Sequence, residues 1–299
     1  MDKEFLAAEE EWNAVPSVII SKQDPTQRYQ HGESVETVDA LTSTSGAIEY
    51  FRRHVNLPYY QQNIKTSIKQ SRLRSCFNLL FGPPGLHPSL ADDRDLLFSM
   101  ALWQLDDSDL IQVQMLYTVY RQITHAQQNP PRYGAHWDDI GFQGTDPATD
   151  LRGAGCLGLV NMVYFTTTQK YRSIFLCIFS MSQHSLQNFP FCVMSLNMTR
   201  IALHALRSQF LNKPANHSGD IIAVFNDFYV GCFFAFATIW KQGHKTIEDS
   251  GVVIKDVEAY CCKNVTAVLR KLALCTDEQA IPTPTNSEPV DEFTNLERL

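Results

Sequence analysis

Apolar residues return every three or four positions along most of this chain, the spacing that gathers them on one face of an α-helix. In the first half they fall at Ile48, Phe51 and Val55, at Ile64, Ile68, Phe77 and Leu80, at Leu90, Leu97, Ala101 and Leu105, and at Leu110, Val113, Leu116 and Ile123. Four helices fit these positions. Gly82-Pro83-Pro84-Gly85 divides the second from the third, since proline cannot continue the hydrogen-bond ladder and glycine accepts turn geometry. Asp106 to Ser108 divides the third from the fourth. A second set covers Leu157–Phe165, Arg172–Leu186, Phe191–Leu211, Asp220–Trp240 and Gly251–Leu274, the last with a break near Asn264. No alternating run closed by a hairpin turn occurs. The pattern predicts an all-α fold, one helical domain of about eight or nine helices without internal repeat.

The helical pattern starts near Gly46 and fades after Leu274. Residues 1–45 are rich in Ser, Thr, Gln, Asp and Glu and read as an acidic, mostly disordered lead-in with a short N-terminal helix. Residues 46–275 form the expected helical domain. Residues 276–299 hold IPTPT and six acids against one arginine, a composition that favours a solvated, disordered tail.

At 299 residues and 44% apolar the chain has ample length to bury a core. The most apolar stretch, Ile221 to Trp240, is long enough to span a membrane, but Asn226 and Asp227 inside it favour a buried helix, so no transmembrane segment is expected. MDKEFLAAEEEW is acidic and has no apolar signal core, which leads us to expect a cytoplasmic protein. Eight cysteines without a CxxC pair suggest reduced thiols and no metal site, with Cys177, Cys192 and Cys232 as small core residues. Glycosylation sequons at Asn197, Asn216 and Asn264 would then be chance matches.

Charge is unevenly spread. Leu151 to Gly219 has no Asp or Glu while Arg152, Lys170, Arg172, Arg200, Arg207 and Lys213 give it +6, leaving −13 for the rest once that is taken from the net −7. Two readings stay open: tight packing that leaves little room for acids, or a basic face for an anionic partner such as a bound nucleotide. Nucleic acid is not expected as a partner, because the overall balance is acidic.

The candidate chemistry lies in HWDDIGFQGTDPATDLRGAGCLGLVNMVYF, His136 to Phe165. Arg152 stands between a turn-forming polar stretch and a long apolar helix, a junction where a charged side chain can reach outward. Asp146, Pro147 and Asp150 are helix-start residues: carboxylates accept orphan amides, and proline suits the first helical position. Those carboxylates could pin Arg152 in a stabilising ion pair, or they could brace the turn and leave it presented. Gln143 is a candidate to orient a water or to bond the backbone, and Trp137 and Phe142 are candidate core anchors or interface aromatics. Gly153, Gly155 and Gly158 match GxGxxG, yet no buried strand precedes them and no acid follows before Asp220, so close backbone approach, between helices or by a partner, is the better reading. No GxSxG, HExxH or Walker loop is present, and the chain itself is not expected to bind GTP or any cofactor.

Trp137, Gly141, Phe142, Gln143, Gly144, Asp146, Pro147, Thr149, Asp150, Arg152, Gly153 and Gly155, in one unbroken register, resemble the ELMO domain family, in particular its small single-domain ELMOD members. The likeness extends to FGPPGLHPSLADDRDLLF, NFPFCVMSLNMTRIALHAL, DSGVVIKDVE and the early EEWNAV, all similar to the third subgroup, and covers residues 46 to 272. It implies a GTPase-activating protein for an Arf-family or Arf-like small GTPase. Arg152 would be the catalytic finger, supplied in trans to the GTP-bound partner, which brings GTP and Mg²⁺. Trp137, Gly141, Phe142, Gln143, Asp146, Pro147, Thr149, Asp150, Gly153 and Gly155 would bind the partner or support the motif. Larger ELMO relatives imply the alternative, a non-catalytic adaptor in small-GTPase and actin-cytoskeleton signalling; the arginine is usually missing from them. Any membrane or cytoskeletal association would come through partners. Leu151, Ala154 and Cys156 depart from the phenylalanine, methionine and leucine common in the family.

Overall fold

A computed structural model describes residues 41–68 and 84–277. The described residues are helical without a strand: α1 Thr44–His54, α2 Leu57–Ile68, α3 Ala91–Leu102, α4 Leu110–Thr124, α5 Ala148–Leu151, α6 Gly155–Thr167, α7 Arg172–Ser182, α8 Phe191–Arg207, α9 Asn212–Ser218, α10 Ile221–Gln242, α11 Ser250–Lys263 and α12 Val265–Asp277, with short 3₁₀ turns between some of them. The all-α expectation holds. The proposed N-terminal helix, Phe77, Leu80 and the tail beyond Asp277 lie outside the described residues, whereas Thr276 and Asp277 complete α12 instead of opening a tail.

Side-chain caps set several helix starts by taking amides that the first turn leaves unpaired. Ser43 Oγ accepts from Gly46 N at 3.1 Å, Asp109 Oδ1 from Ile111 and Gln112 N, and Asp220 Oδ1 from Ala223 N at 2.9 Å. The predicted break at Asn264 separates α11 from α12; its side chain donates to Tyr260 O at 2.8 Å. Residues 183–188 leave the helix predicted to Leu186 because the His184 ring accepts the amides of Leu186 and Gln187.

Two helices are apolar nearly all round and sit inside. Every α6 residue but Tyr164 and Thr167 is buried, enclosed by α1, α3, α4, α7 and α8. The second, α10, is enclosed by α8, α9, α11 and α12. It is long and apolar enough to cross a membrane, yet 78% of its apolar window is buried in the fold. Phe165, Phe175, Phe191 and Phe233 join α6, α7, α8 and α10, with centroids 5.3 Å apart for Phe191 and Phe233 and 5.5 Å for Phe165 and Phe233. Inside this core Asn161 Nδ2 donates to Asn226 Oδ1 at 2.9 Å, and Thr199 Oγ1 donates to Asn161 Oδ1 at 3.0 Å. Asp227, on the rim, accepts from both Tyr164 and Tyr171 hydroxyls at 2.5 Å and from Lys170 Nζ at 3.1 Å.

That pairing bears on the charge asymmetry. Lys170 meets Asp227, and Glu258 from α11 draws on His204 and Arg200, so acids from outside Leu151–Gly219 face bases within it. Two of the segment's six positive charges, those of Lys170 and Arg200, are thus faced by acids from elsewhere in the chain. Cys192 and Cys232 are buried and Cys177 is half-buried. The sequon side chains are already used: Asn197 is buried and donates to Val193 O, and Asn216 bonds His87 N and Gly85 O.

Candidate functional site

The site is built on Trp137. It has no exposed surface, meets Tyr120 and Phe142 edge-on with centroids at 5.3 Å and 6.0 Å, and donates Nε1–H to Arg132 O at 3.0 Å. Phe142 is 2% exposed. Neither ring can be an interface contact on the surface; both anchor the segment that follows. Between them Gly141 turns the chain with φ 86°. A Cβ there would lie 2.2 Å from Phe191 N, and Gly141 O accepts from Val193 N at 3.0 Å, so the turn rests directly on the start of α8. Only glycine meets both demands.

Each following residue has a mechanical partner. Gly144, with φ 74°, donates N–H to Asp138 Oδ1 at 2.9 Å. Asp146 Oδ1 accepts from Ala148 N at 3.0 Å, and Asp146 O accepts from Thr149 N and Oγ1. Pro147 occupies the N-cap position itself, and its carbonyl takes the amides of Asp150 and Leu151, both at 3.1 Å. Asp150 differs from its expected capping role. It lies inside α5, buried, and its Oδ2 accepts the Gln143 amide at 2.6 Å across the turn. Burial pushes its pKa up to about 6 against the counter-effect of that hydrogen bond; Asp138 raises it further, and the Arg152 charge lowers it.

Arg152 follows α5 and is exposed. Among the described residues it has no hydrogen bond or ion pair, although its charge reaches the Asp150 carboxyl through space. The ion pair that spacing allowed is not formed. Asp146 is taken by Arg132 Nη1 at 2.9 Å, and Arg132 Nε holds Asp107 Oδ1 at 2.6 Å. Sequence reasoning missed Arg132, because its partners lie 14 and 25 residues away and no local pattern joins them. The only hint was the run Asp106, Asp107, Asp109, acids without a neighbouring base.

Behind Arg152 the chain enters α6 at Gly155, φ 56°, where a Cβ would lie 2.4 Å from Ala101 O, and Cys156 N donates to Trp103 O at 2.8 Å. Gly158 gives Leu196 room in the same way, so these two glycines serve helix packing. Gly153 lies in the turn between α5 and α6. Leu151, Ala154 and Cys156, where the sequence departs from the common family residues, are at most 1% exposed. Their differences change packing beneath the turn, not its outer surface.

Gln104, Leu105, Asp146, Ala148, Thr149 and Arg152 line a shallow open depression of about 250 Å³. No group of three or more His, Cys, Asp or Glu arranged for a metal occurs among the described residues. What the arrangement offers is one permanent positive charge with a planar donor fork, held at the end of a braced turn and open to an anion on another molecule.

An all-helical domain with a single arginine set out on such a turn is the class this geometry defines. The model of the ELMO/CED-12 family matches residues 95–254. ELMO domain-containing protein 3 of Bos taurus is 39% identical over 269 residues, covering 90% of this chain and 68% of the relative. The Homo sapiens protein of the same name is 37% identical over 271 residues, covering 91% and 69%. ELMO domain-containing protein 2 of Bos taurus is 33% identical over 140 residues, covering 46% and 47%. No solved structure matches the chain. The chain belongs to the ELMO/CED-12 family.

Proposed function

We propose that this protein is a GTPase-activating protein for an Arf-family or Arf-like small GTPase, and that Arg152 is inserted in trans beside the partner's bound GTP. The observation that carries the reading is the state of Arg152: exposed, without an ion pair or hydrogen bond among the described residues, after a turn held by the hydrogen bonds of Asp146 and Asp150. Hydrolysis of GTP builds charge on the transferred phosphoryl group and the leaving oxygen, and a guanidinium from a second protein can stabilise it. Because the backbone of the turn is already held, docking orders only the side chain and not the loop that carries it. The partner supplies GTP, Mg²⁺ and the attacking water, and the chain has no reaction of its own. The family resemblance supplies the class of GTPase.

The reading carries with it a cytoplasmic location, with contact to membranes or the cytoskeleton made through partners. The test is single-turnover hydrolysis by a panel of GTP-loaded Arf-family and Arf-like GTPases, with and without the purified chain. Faster hydrolysis by at least one member is expected. Binding without acceleration across the panel would replace the activator by the adaptor.

A further inference from the structure

Arg132 is bound where Arg152 is not. Its side chain is 13% exposed and reaches two carboxylates, Asp107 Oδ1 from Nε at 2.6 Å and Asp146 Oδ1 from Nη1 at 2.9 Å. Its guanidinium lies 4.6 Å from the Tyr133 ring centroid, and the Tyr133 hydroxyl donates to Asp107 Oδ2 at 2.5 Å. Its carbonyl accepts the Trp137 indole N–H at 3.0 Å. The residue is thereby fixed from both ends, and it ties the connection between α3 and α4 to the turn before α5.

Asp146 and Arg152 line the same depression, six residues apart in the chain. A carboxylate left without its cation there shares the depression with the Arg152 guanidinium, an opposite charge that can pair with it in place of water. A guanidinium bound to Asp146 would be unavailable to a phosphate.

We propose that Arg132 is a positioning residue for Arg152: by holding Asp146 it keeps that carboxylate from capturing Arg152 and leaves the guanidinium free for an anionic partner group. The proposal rests on the finger reading only for its consequence in GTP hydrolysis; the competition between the two arginines for Asp146 is a property of this chain alone. Lysine would not serve equally, since one ammonium does not reproduce the fork that spans both carboxylates.

The experiment compares the wild-type chain with Arg132→Gln and the double variant Arg132→Gln/Asp146→Asn. The ¹⁵Nε–H resonance of Arg152, assigned by its loss in Arg152→Lys, reports directly whether the guanidinium is bound. We expect its exchange with water to slow in Arg132→Gln and to return to the wild-type rate in the double variant. Against a GTPase that the wild type stimulates, Arg132→Gln should lower the maximal single-turnover rate by about two- to fivefold, the range an exposed ion pair allows, with little change in the concentration for half-maximal effect. The double variant should recover most of that loss. A bracing role alone predicts the opposite, since Asp146→Asn would weaken the same turn a second time. Should Arg132→Gln fail to fold, Arg132→Lys is expected to show a smaller slowing with the same rescue. An unchanged Arg152 resonance in the folded variants, or a double variant no better than the single one, overturns the proposal. Wild-type protein that stimulates no GTPase overturns the finger reading, and the resonance still decides the competition for Asp146.

Discussion

Asp150 Oδ2 and the Gln143 amide meet at 2.6 Å, closing a loop whose two ends lie seven residues apart and whose exit is Arg152. The carboxyl is buried, and its pKa is pushed up from 3.8 to about 6, chiefly by burial. A carboxyl raised on folding favours the fold when protonated. Its contribution is complete below about pH 3.8 and is lost as pH rises through about 6. Asp150→Asn keeps an oxygen for the Gln143 amide and removes the titration. The stability difference between Asn variant and wild type should therefore grow in favour of the variant between pH 4 and 6, then stay level, reaching on the order of 3 kcal/mol at most. Urea melts of both proteins across pH 4 to 8 measure it. Parallel pH profiles would show that Asp150 is an ordinary carboxylate.

Asp150→Ala should behave differently from Asp150→Asn. It leaves the Gln143 amide without its acceptor, a loss of about 1 to 3 kcal/mol beside the Asn variant at pH 5. If Asn abolished stimulation of a GTPase while fold and partner affinity were intact, the carboxylate would belong with the reacting groups and not with the bracing.

Gly141 and Gly144 both have positive φ, but their surroundings separate them. A Cβ at Gly144 meets nothing within 4 Å, whereas one at Gly141 lies 2.2 Å from Phe191 N. Gly144→Ala should lose only the cost of a left-handed alanine, roughly 1 to 2 kcal/mol. Gly141→Ala should lose considerably more, because it must also push α8 away and strain the Val193 to Gly141 hydrogen bond. Equal melting temperatures for the two variants would contradict the close approach.

Much of this architecture was legible along the chain because most of the longer helices present an apolar stripe over several turns. Asn264 was readable as a break from local sequence alone, and Gly155 and Gly158 as points of close backbone approach, though not whether a helix or a partner makes that approach. The four-residue α5 and seven-residue α9 were not, since neither repeats its pattern often enough to show a period. Arg152 stood out because a known motif surrounds it. Its isolation did not, because it depends on Arg132 meeting Asp107 and Asp146, a long-range pairing that charge counting cannot see. The same limit applies to the positive segment, whose Lys170 and Arg200 face Asp227 and Glu258 from distant helices.

Asn161 offers a test of the core apart from the motif. It gives an amide hydrogen to Asn226 and accepts the Thr199 hydroxyl, with all three residues at most 3% exposed. Asn161→Ala strands Asn226 Oδ1, whereas the Thr199 hydroxyl keeps Ser195 O at 3.3 Å, so unfolding should become easier by about 1 to 3 kcal/mol. Asn161→Leu should not repair it, since the Asn226 oxygen remains without its donor. Stimulation per folded molecule should be unchanged in either variant. A variant as stable as wild type would mean that the network contributes nothing net.

Arg152→Lys separates the finger from the structural arginine. The wild-type side chain makes no ion pair or hydrogen bond among the described residues, so its replacement removes no contact that holds the turn. The melting temperature should stay within about 1 °C of wild type, as for an exposed substitution worth under 0.5 kcal/mol. Lysine keeps the charge but loses the planar fork, and arginine fingers contribute on the order of 10³ to 10⁵ in rate. Single-turnover hydrolysis should therefore fall most of the way to the GTPase's unaided rate, while the affinity for the GTP-bound partner changes little, because the interaction develops in the transition state. Both measurements belong on one preparation. A folded lysine variant that stimulates like wild type would remove Arg152 from the chemistry; a variant that binds no partner at all would make it a docking contact instead.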